Sequence, residues 1–501
     1  MPPARPRFSP EPSNQLQQFR GVRHPLPPGD KRVLAVLIVH LCFLPWALGG
    51  MRSWGQLISL GLAIIGFAVA FWSVARYRSD AMARDPSAPR PPTPFRRLMK
   101  FPPFWLGLAL LAYIVLQSFN PTWQYVTNGT HWWLKRVPNI SWLPTSIETP
   151  FERFNLWRQF IIYASAWLTL CTVAIGLTRR RSFMLLLTVL AANGLALAAV
   201  GLFMRATTST EHVLWLKDRI INASTFGSFV YKNHAGAYLA LMAVVMMVLA
   251  ARHRERALRE HSQSSPAPLG VFGALLLFAA VVFSYSRGST LLLGGYLILA
   301  ALVFLIHRYF TQSESTTPRI VTFTVMAMIA FVVAFALAQM DFGRVMDQFE
   351  KLAEQKHQDA SISGRLDARA AGQDMLSATW PRGLGAGSFR FLFPQYIKRF
   401  SASYRGGSLF WEHAHNDWLE IPIELGLIGT GLIVAGIGWG CWRLGRTSVW
   451  RRLPPLLLAL GLLQTLVHAA IDFPLQNPAI LITWLVLALI ATRFNDRQFE
   501  G

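Results

Sequence analysis

Four short stretches hold side chains able to do chemistry. The first is Trp411-Glu412-His413-Ala414-His415-Asn416-Asp417, directly before an apolar run. An imidazole beside amide and carboxylate neighbours can act as a general base with orienting partners. A structural reading stands beside it: Asn416 or Asp417 can cap a helix whose first turn carries Glu420. His413 and His415 with Glu412 and Asp417 lack a third, distant ligand, so no metal is expected. The second stretch is Ser284-Tyr285-Ser286-Arg287-Gly288-Ser289, a short turn between two apolar runs. The planar guanidinium of Arg287 suits a carboxylate or phosphate, or else extends to the membrane interface. The third joins Lys217-Asp218-Arg219-Ile220 to Thr225–His234, which contains Lys232 and Asn233. A cationic, glycine-containing loop running into a span suits phosphate, or is simply solvated. The fourth pairs Ser363-Gly364-Arg365-Leu366-Asp367 with Gly383-Leu384-Gly385-Ala386-Gly387. These glycines do not form GxxxxGK[ST] and read as turns, while Arg365 can join an anion site. Arg219, Arg287, Arg365, Lys232 and His415 together imply an anionic, phosphate-containing ligand, with positive charge in place of a metal.

Such residues must be positioned by membrane helices. Of 501 residues, 53% are hydrophobic and 15% charged, where soluble domains carry about 25% charged. Twelve apolar runs are read at 33–50, 55–75, 103–119, 158–178, 182–204, 234–251, 269–285, 289–306, 319–340, 415–442, 453–472 and 478–492. Hydrocarbon offers no partner to an open backbone, so each is expected to be a helix. The fold class is therefore an all-α polytopic membrane protein of about twelve spans. The net charge of +23 sits in clusters between runs, which is an orientation signal and not a nucleic-acid footprint. Basic residues gather in the tail 1–32, at 76–102, at Arg179–Arg181, at 252–268 and at 443–452, which places both termini in the cytoplasm. The apolar run that follows the basic tail reads as an uncleaved first span. The expected organisation is a Pro/Arg-rich tail over 1–32 and spans one to nine over 33–340, with outer loops 120–157 and 205–233. An extracytoplasmic segment follows over 341–414, then spans ten to twelve over 415–492 and a tail over 493–501. Loop 120–157, with Trp123, Trp132, Trp133, Trp142 and Trp157, suits the membrane surface. Amphipathic spacing predicts helices over 343–357 and 364–378. The three cysteines, at 42, 171 and 441, show no metal or disulfide spacing.

At this point the chain resembles the O-antigen ligase and O-antigen polymerase family of polytopic membrane glycosyltransferases. His415-Asn416, nine residues, then Gly426-Leu427-Ile428-Gly429 resembles the ligase pattern H-[NSQ]-x9-GxxGxxG, with Leu432 where a third glycine would stand. Ser286-Arg287-Gly288 resembles the family's SRG turn, and Phe229 to Ala237, with Asn233-His234-Ala235-Gly236, resembles its N-x-x-A entry to a span. Ser363-Gly364-Arg365, Gly383-Leu384-Gly385 and Asp472-Phe473-Pro474 extend the likeness over about 205–480. The resemblance implies metal-independent, inverting transfer of a glycan from a polyprenyl diphosphate to an acceptor hydroxyl, without a cofactor, in lipopolysaccharide or exopolysaccharide assembly. It implies a bacterial inner-membrane protein whose site faces the periplasm. It assigns His415 as base and Arg287 and Arg219 as diphosphate contacts, with Arg365, Lys232, Asn233, Asn416 and Asp472 as further site residues. The acceptor stays open: lipid A core sugar for a ligase, a glycan repeat for a polymerase, a protein hydroxyl for an O-oligosaccharyltransferase. A reading from another class is a twelve-span transporter. It is disfavoured because the longest loop lies outside, between spans nine and ten, and no half-to-half repeat is visible.

Overall fold

Eleven of the twelve apolar runs each fall on one helix in the computed structural model, which describes residues 26–84, 87, 91–207, 225–262, 264–311, 360–400, 403 and 410–494. The helices are α1 (Pro28–Trp46), α2 (Ser53–Arg84), α3 (Pro94–Met99), α4 (Pro102–Ser118), α5 (Leu156–Gly176), α6 (Arg180–Thr207) and α7 (Lys232–Arg259). They continue as α8 (Ala267–Phe283), α9 (Arg287–Thr311), α10 (Ala360–Thr379), α11 (Phe389–Ile397), α12 (Asp417–Arg446), α13 (Leu453–His468) and α14 (Pro478–Arg493). The run 319–340, the expected helix 343–357 and Arg219 lie outside the described residues. Among the described residues, six helices are long and apolar enough to cross a membrane: α2, α5, α6, α7, α9 and α12. Shorter apolar helices are α4, α8, α13 and α14. The helix expected over 364–378 is present as α10.

Helix α7 is the centre of the bundle. It is apolar on every face from Ala235 to Ala251, and such a helix must be surrounded. It packs against α6, α8, α9 and α13, and its apolar stretch is almost wholly buried.

The all-α expectation needs one correction. Residues 121–148 contain a three-stranded sheet in the order β2-β1-β3: β1 (Pro121–Thr127), β2 (Trp132–Arg136) and β3 (Ser146–Glu148). Strand β1 pairs antiparallel with β2, Thr127 opposite Trp132, and parallel with β3. Asn128-Gly129 between two aromatic, β-branched runs is a hairpin signal that the Trp content obscured. Tyr125 and Trp132 stack at 5.6 Å across the pair, which turns a loop suited to lying on lipid into a folded element.

Helix α12 is broken, and the break anchors the segment that carries α10 and α11. Pro422 cannot donate to its helix, and Gly426 sits at φ 58. The carbonyls this leaves over are taken elsewhere. Leu384 N donates to Ile423 O at 2.9 Å, Gly385 N to Glu424 O at 2.8 Å, and Tyr113 Oη to Leu425 O at 2.9 Å. The buried Glu424 carboxylate accepts from Gly387 N at 2.9 Å and Phe389 N at 3.0 Å. The glycine turns at 383–387 are thus structural, and they lock α10 and α11 onto α12. A Cβ at Gly426 would meet Pro381 O and the Arg382 backbone. Gly426→Ala is expected to cost about 1–3 kcal/mol through backbone strain alone. The check is a lowered unfolding temperature of the detergent-solubilised protein.

Candidate functional site

Two chain segments 57 residues apart are stitched together at one end of the bundle. Asn416 caps α12 by accepting from Leu419 N at 3.2 Å, so the helix starts where Asn and Asp favour it. The next residue ties this start to the turn after α13: Asp417 N donates to Ala469 O at 2.8 Å, and its carboxylate accepts from Leu475 N at 3.0 Å. The stitch presents His415 to Asp472. His415 Nδ1 lies 3.2 Å from Asp472 Oδ1. With the Nδ1 proton donated to that carboxylate, Nε2 carries the lone pair and can accept a proton. His415 itself sits at φ 51, a left-handed conformation that surrounding contacts must enforce and that concentrates at functional sites.

Asp472 is buried and heavily partnered. Its Oδ2 accepts from Asn233 Nδ2 at 2.5 Å and lies 4.0 Å from an Arg365 nitrogen. Its Oδ1 also accepts from Phe473 N at 3.1 Å. Burial by itself would raise its pKa. The His415 hydrogen bond and the charges of His415, His468 and Arg365 outweigh burial and hold the carboxyl well below the usual carboxylate range. It is therefore the ionised acceptor that the imidazole needs.

Aromatic rings wall the pair. Phe473 stacks on Tyr231 at 5.2 Å and on His413 at 4.5 Å, and His415 meets its edge at 4.9 Å. Asn233 Nδ2 also donates to the Tyr231 hydroxyl at 2.6 Å. Burial, then the Asp472 charge, pushes that phenol up, so it stays protonated. His413, the first histidine of H-x-H, is fully engaged. It bonds Glu420 Oε1 at 2.7 Å and stands 3.4 Å from Arg390. Burial, reinforced by Arg390, holds it well below the ordinary histidine value. Glu420 also accepts from Ala414 N at 2.7 Å. These groups brace the His415 backbone.

Cations border the other side. Lys232 opens α7 within Coulombic reach of Arg287, Arg205 and Arg365. The Ser286-Arg287-Gly288 turn opens α9 and lies against the first turn of α7. A Cβ at Gly236 would come within 2.6 Å of Ser289 Oγ and 2.9 Å of Ser286 Cβ, so this approach requires glycine. Gly288 in turn faces His468 and Ile471 beside Asp472. Exposed Arg287, half-buried Lys232 and Arg205, and Arg365 are thus grouped close to the His415–Asp472 pair. Such a group can hold a diphosphate.

Of the residues expected from sequence, the structure brings together His415, Asp472, Asn233, Lys232, Arg287 and Arg365. Asn416 caps α12, directly after His415. Sequence reasoning missed Tyr231, Arg205 and the bracing pair His413–Glu420. Tyr231 sits in the Val230-Tyr231-Lys232-Asn233 stretch already singled out, but its partner Phe473 is more than two hundred residues away.

Residues 272–434 match the family model described as O-antigen ligase. Over these residues the chain is similar to the O-antigen ligase family. With its apolar helices, it is a multi-pass bacterial membrane protein with a ligase- or polymerase-type role in polysaccharide assembly. No curated protein matches the chain significantly. The O-antigen ligase match spans the Arg287 turn, Arg365, His415 and Gly426. It starts after Asn233 and stops before Asp472, and tertiary packing supplies both of these to His415.

Proposed function

We propose that this protein transfers a glycan from a polyprenyl-diphosphate carrier to an acceptor hydroxyl at the outer face of the bacterial inner membrane. The ligase reaction of lipopolysaccharide or exopolysaccharide assembly is the leading form. The observation that carries the reading is the His415–Asp472 pair beside Lys232, Arg205, Arg287 and Arg365. His415 Nε2 takes the acceptor hydroxyl proton as that oxygen attacks the anomeric carbon. The bond from this carbon to the diphosphate oxygen breaks, and its electron pair stays on the diphosphate. Attack opposite the leaving group inverts the anomeric configuration. The guanidinium and ammonium groups stabilise the charge that grows on the leaving oxygen, and Asp472 stabilises the imidazolium. Arg219, proposed on its motif alone, adds a further diphosphate contact. The polyprenyl tail stays in the bilayer beside the helices, and both chain termini face the cytoplasm.

The test is glycan profiling in a deletion strain complemented with wild type or His415→Ala. Loss of finished polymer with accumulation of full-length lipid-linked glycan is the result expected of a ligase. Accumulation of single-repeat lipid-linked units instead assigns polymerase activity. Modification lost only from glycoproteins assigns a protein acceptor. Complementation by His415→Ala at the wild-type level refutes transfer at this site.

A further inference from the structure

A cavity of 730 Å³ adjoins the His415–Asp472 pair, and its lining residues are distinct from Lys232, Arg205, Arg287 and Arg365. Tyr231 and Phe473 line it, and both rings also meet His415, at 6.4 and 4.9 Å between centroids. A molecule in the cavity is therefore one aromatic ring away from the proposed base. Its volume is that of a ligand pocket, on the order of 300–1,000 Å³, and accommodates a short oligosaccharide.

Among the described residues, four arginines line it: Arg52, Arg153, Arg158 and Arg390. The carboxylates among its described lining residues, Glu152 and Glu412, are both exposed. Arg158 is buried, at 7% exposure, yet its hydrogen bonds go to neutral groups: Gln56 Oε1 at 2.9 Å and Met51 O at 3.0 Å. The charges acting on it are Arg390 and Arg52, of like sign, and only then Glu412. Arg390 is also buried, at 8%. It lies 3.9 Å from Glu412 and 4.5 Å above the Phe154 ring, to which Arg158 also applies its guanidinium at 4.9 Å. Two buried guanidiniums thus share one aromatic ring, and burying like charges together is costly unless an anion joins them. Much of the remaining wall is aromatic, with the stacked Tyr125–Trp132 pair edged by Phe391. Rigid aromatic surface beside forked cationic donors fits a sugar ring that carries a carboxylate.

We propose that this cavity binds a carboxylated saccharide, its carboxylates on the arginines and its ring faces against Tyr125 and Trp132. That the bound saccharide is the acceptor rests on the transfer reading above. The binding assignment does not.

The test is calorimetric titration of the full-length protein in nanodiscs of zwitterionic lipid. The probes are a uronic-acid trisaccharide and its fully methyl-esterified form, neither carrying lipid or diphosphate. Wild type and His415→Ala are both expected to bind the acid form about tenfold or more tighter than the ester, as loss of charged hydrogen bonds implies. Arg52→Gln/Arg153→Gln alters only exposed side chains and so spares the fold; it is expected to weaken the acid form about tenfold and leave the ester unchanged. Equal affinity for acid and ester, no binding of either, or an unaltered double variant overturns the proposal. Selective acid binding by a protein whose deletion leaves all lipid-linked glycans unchanged refutes transfer and supports the cavity assignment. Loss of acid selectivity with His415-dependent transfer intact does the reverse.

Discussion

Replacing His415 by Ala lowers transfer by about 10²–10⁴-fold, the usual contribution of a positioned general base. The protein should still insert and purify, because the His415 side chain is 22% exposed and, among the described residues, its ring makes one hydrogen bond, to Asp472. The measurement is initial rate with a lipid-linked donor and a saturating acceptor in detergent. Asp472→Asn tests the same unit from the other side. An amide at 472 cannot stabilise the imidazolium, and it can hold the opposite tautomer by donating to Nδ1. Its loss should approach that of His415→Ala. Residues acting as one unit are strongly non-additive, so the double variant should be little worse than His415→Ala alone. If the two losses multiply, the residues work independently and the pair is not the catalytic unit.

Arg287→Ala is expected to cost about 10²–10³-fold in kcat, the scale of one lost electrostatic stabiliser of developing charge. Arg287→Lys should recover only part of this. An ammonium keeps the charge but loses the planar fork that meets two phosphate oxygens at once. Lys232 and Arg205 remain beside the site in both variants, so donor binding should persist and KM should move less than kcat. Single-turnover rates against donor concentration separate the two effects. A variant with unchanged kcat and raised KM places Arg287 in ground-state binding, and the proposed charge stabilisation then belongs elsewhere. Neither result depends on the fold being lost, because Arg287 is exposed.

The helices were legible in the sequence because the bilayer imposes a single local rule. A run such as 234–251 has no way to satisfy its backbone in hydrocarbon except as a helix, and it lies within α7. Position along the chain also revealed the chemistry-bearing residues, since polar groups at the ends of apolar runs stand out. The hairpin at 121–136 was readable from Asn128-Gly129 but was masked by an aromatic composition that also suits a membrane surface. The break in α12 was half legible. Pro422 and Gly426 mark a weak helix, but only the structure shows that Leu384, Gly385 and Tyr113 take the released carbonyls.

The sequence by itself determined that this chain is a bundle of apolar helices with cationic and imidazole groups at the helix ends. Composition and helical length are local properties, read residue by residue. The tertiary structure alone decided that His415 meets Asp472 and that Asn233, Arg365 and Phe473 surround the same carboxylate. It alone placed Arg158 and Arg390 on one ring from helices far apart in the chain. Those contacts come from helix packing and from the stitch between Asp417 and residues 469–475. Neither leaves a spacing in the sequence, because the distance along the chain between packed helices depends only on the loops that join them.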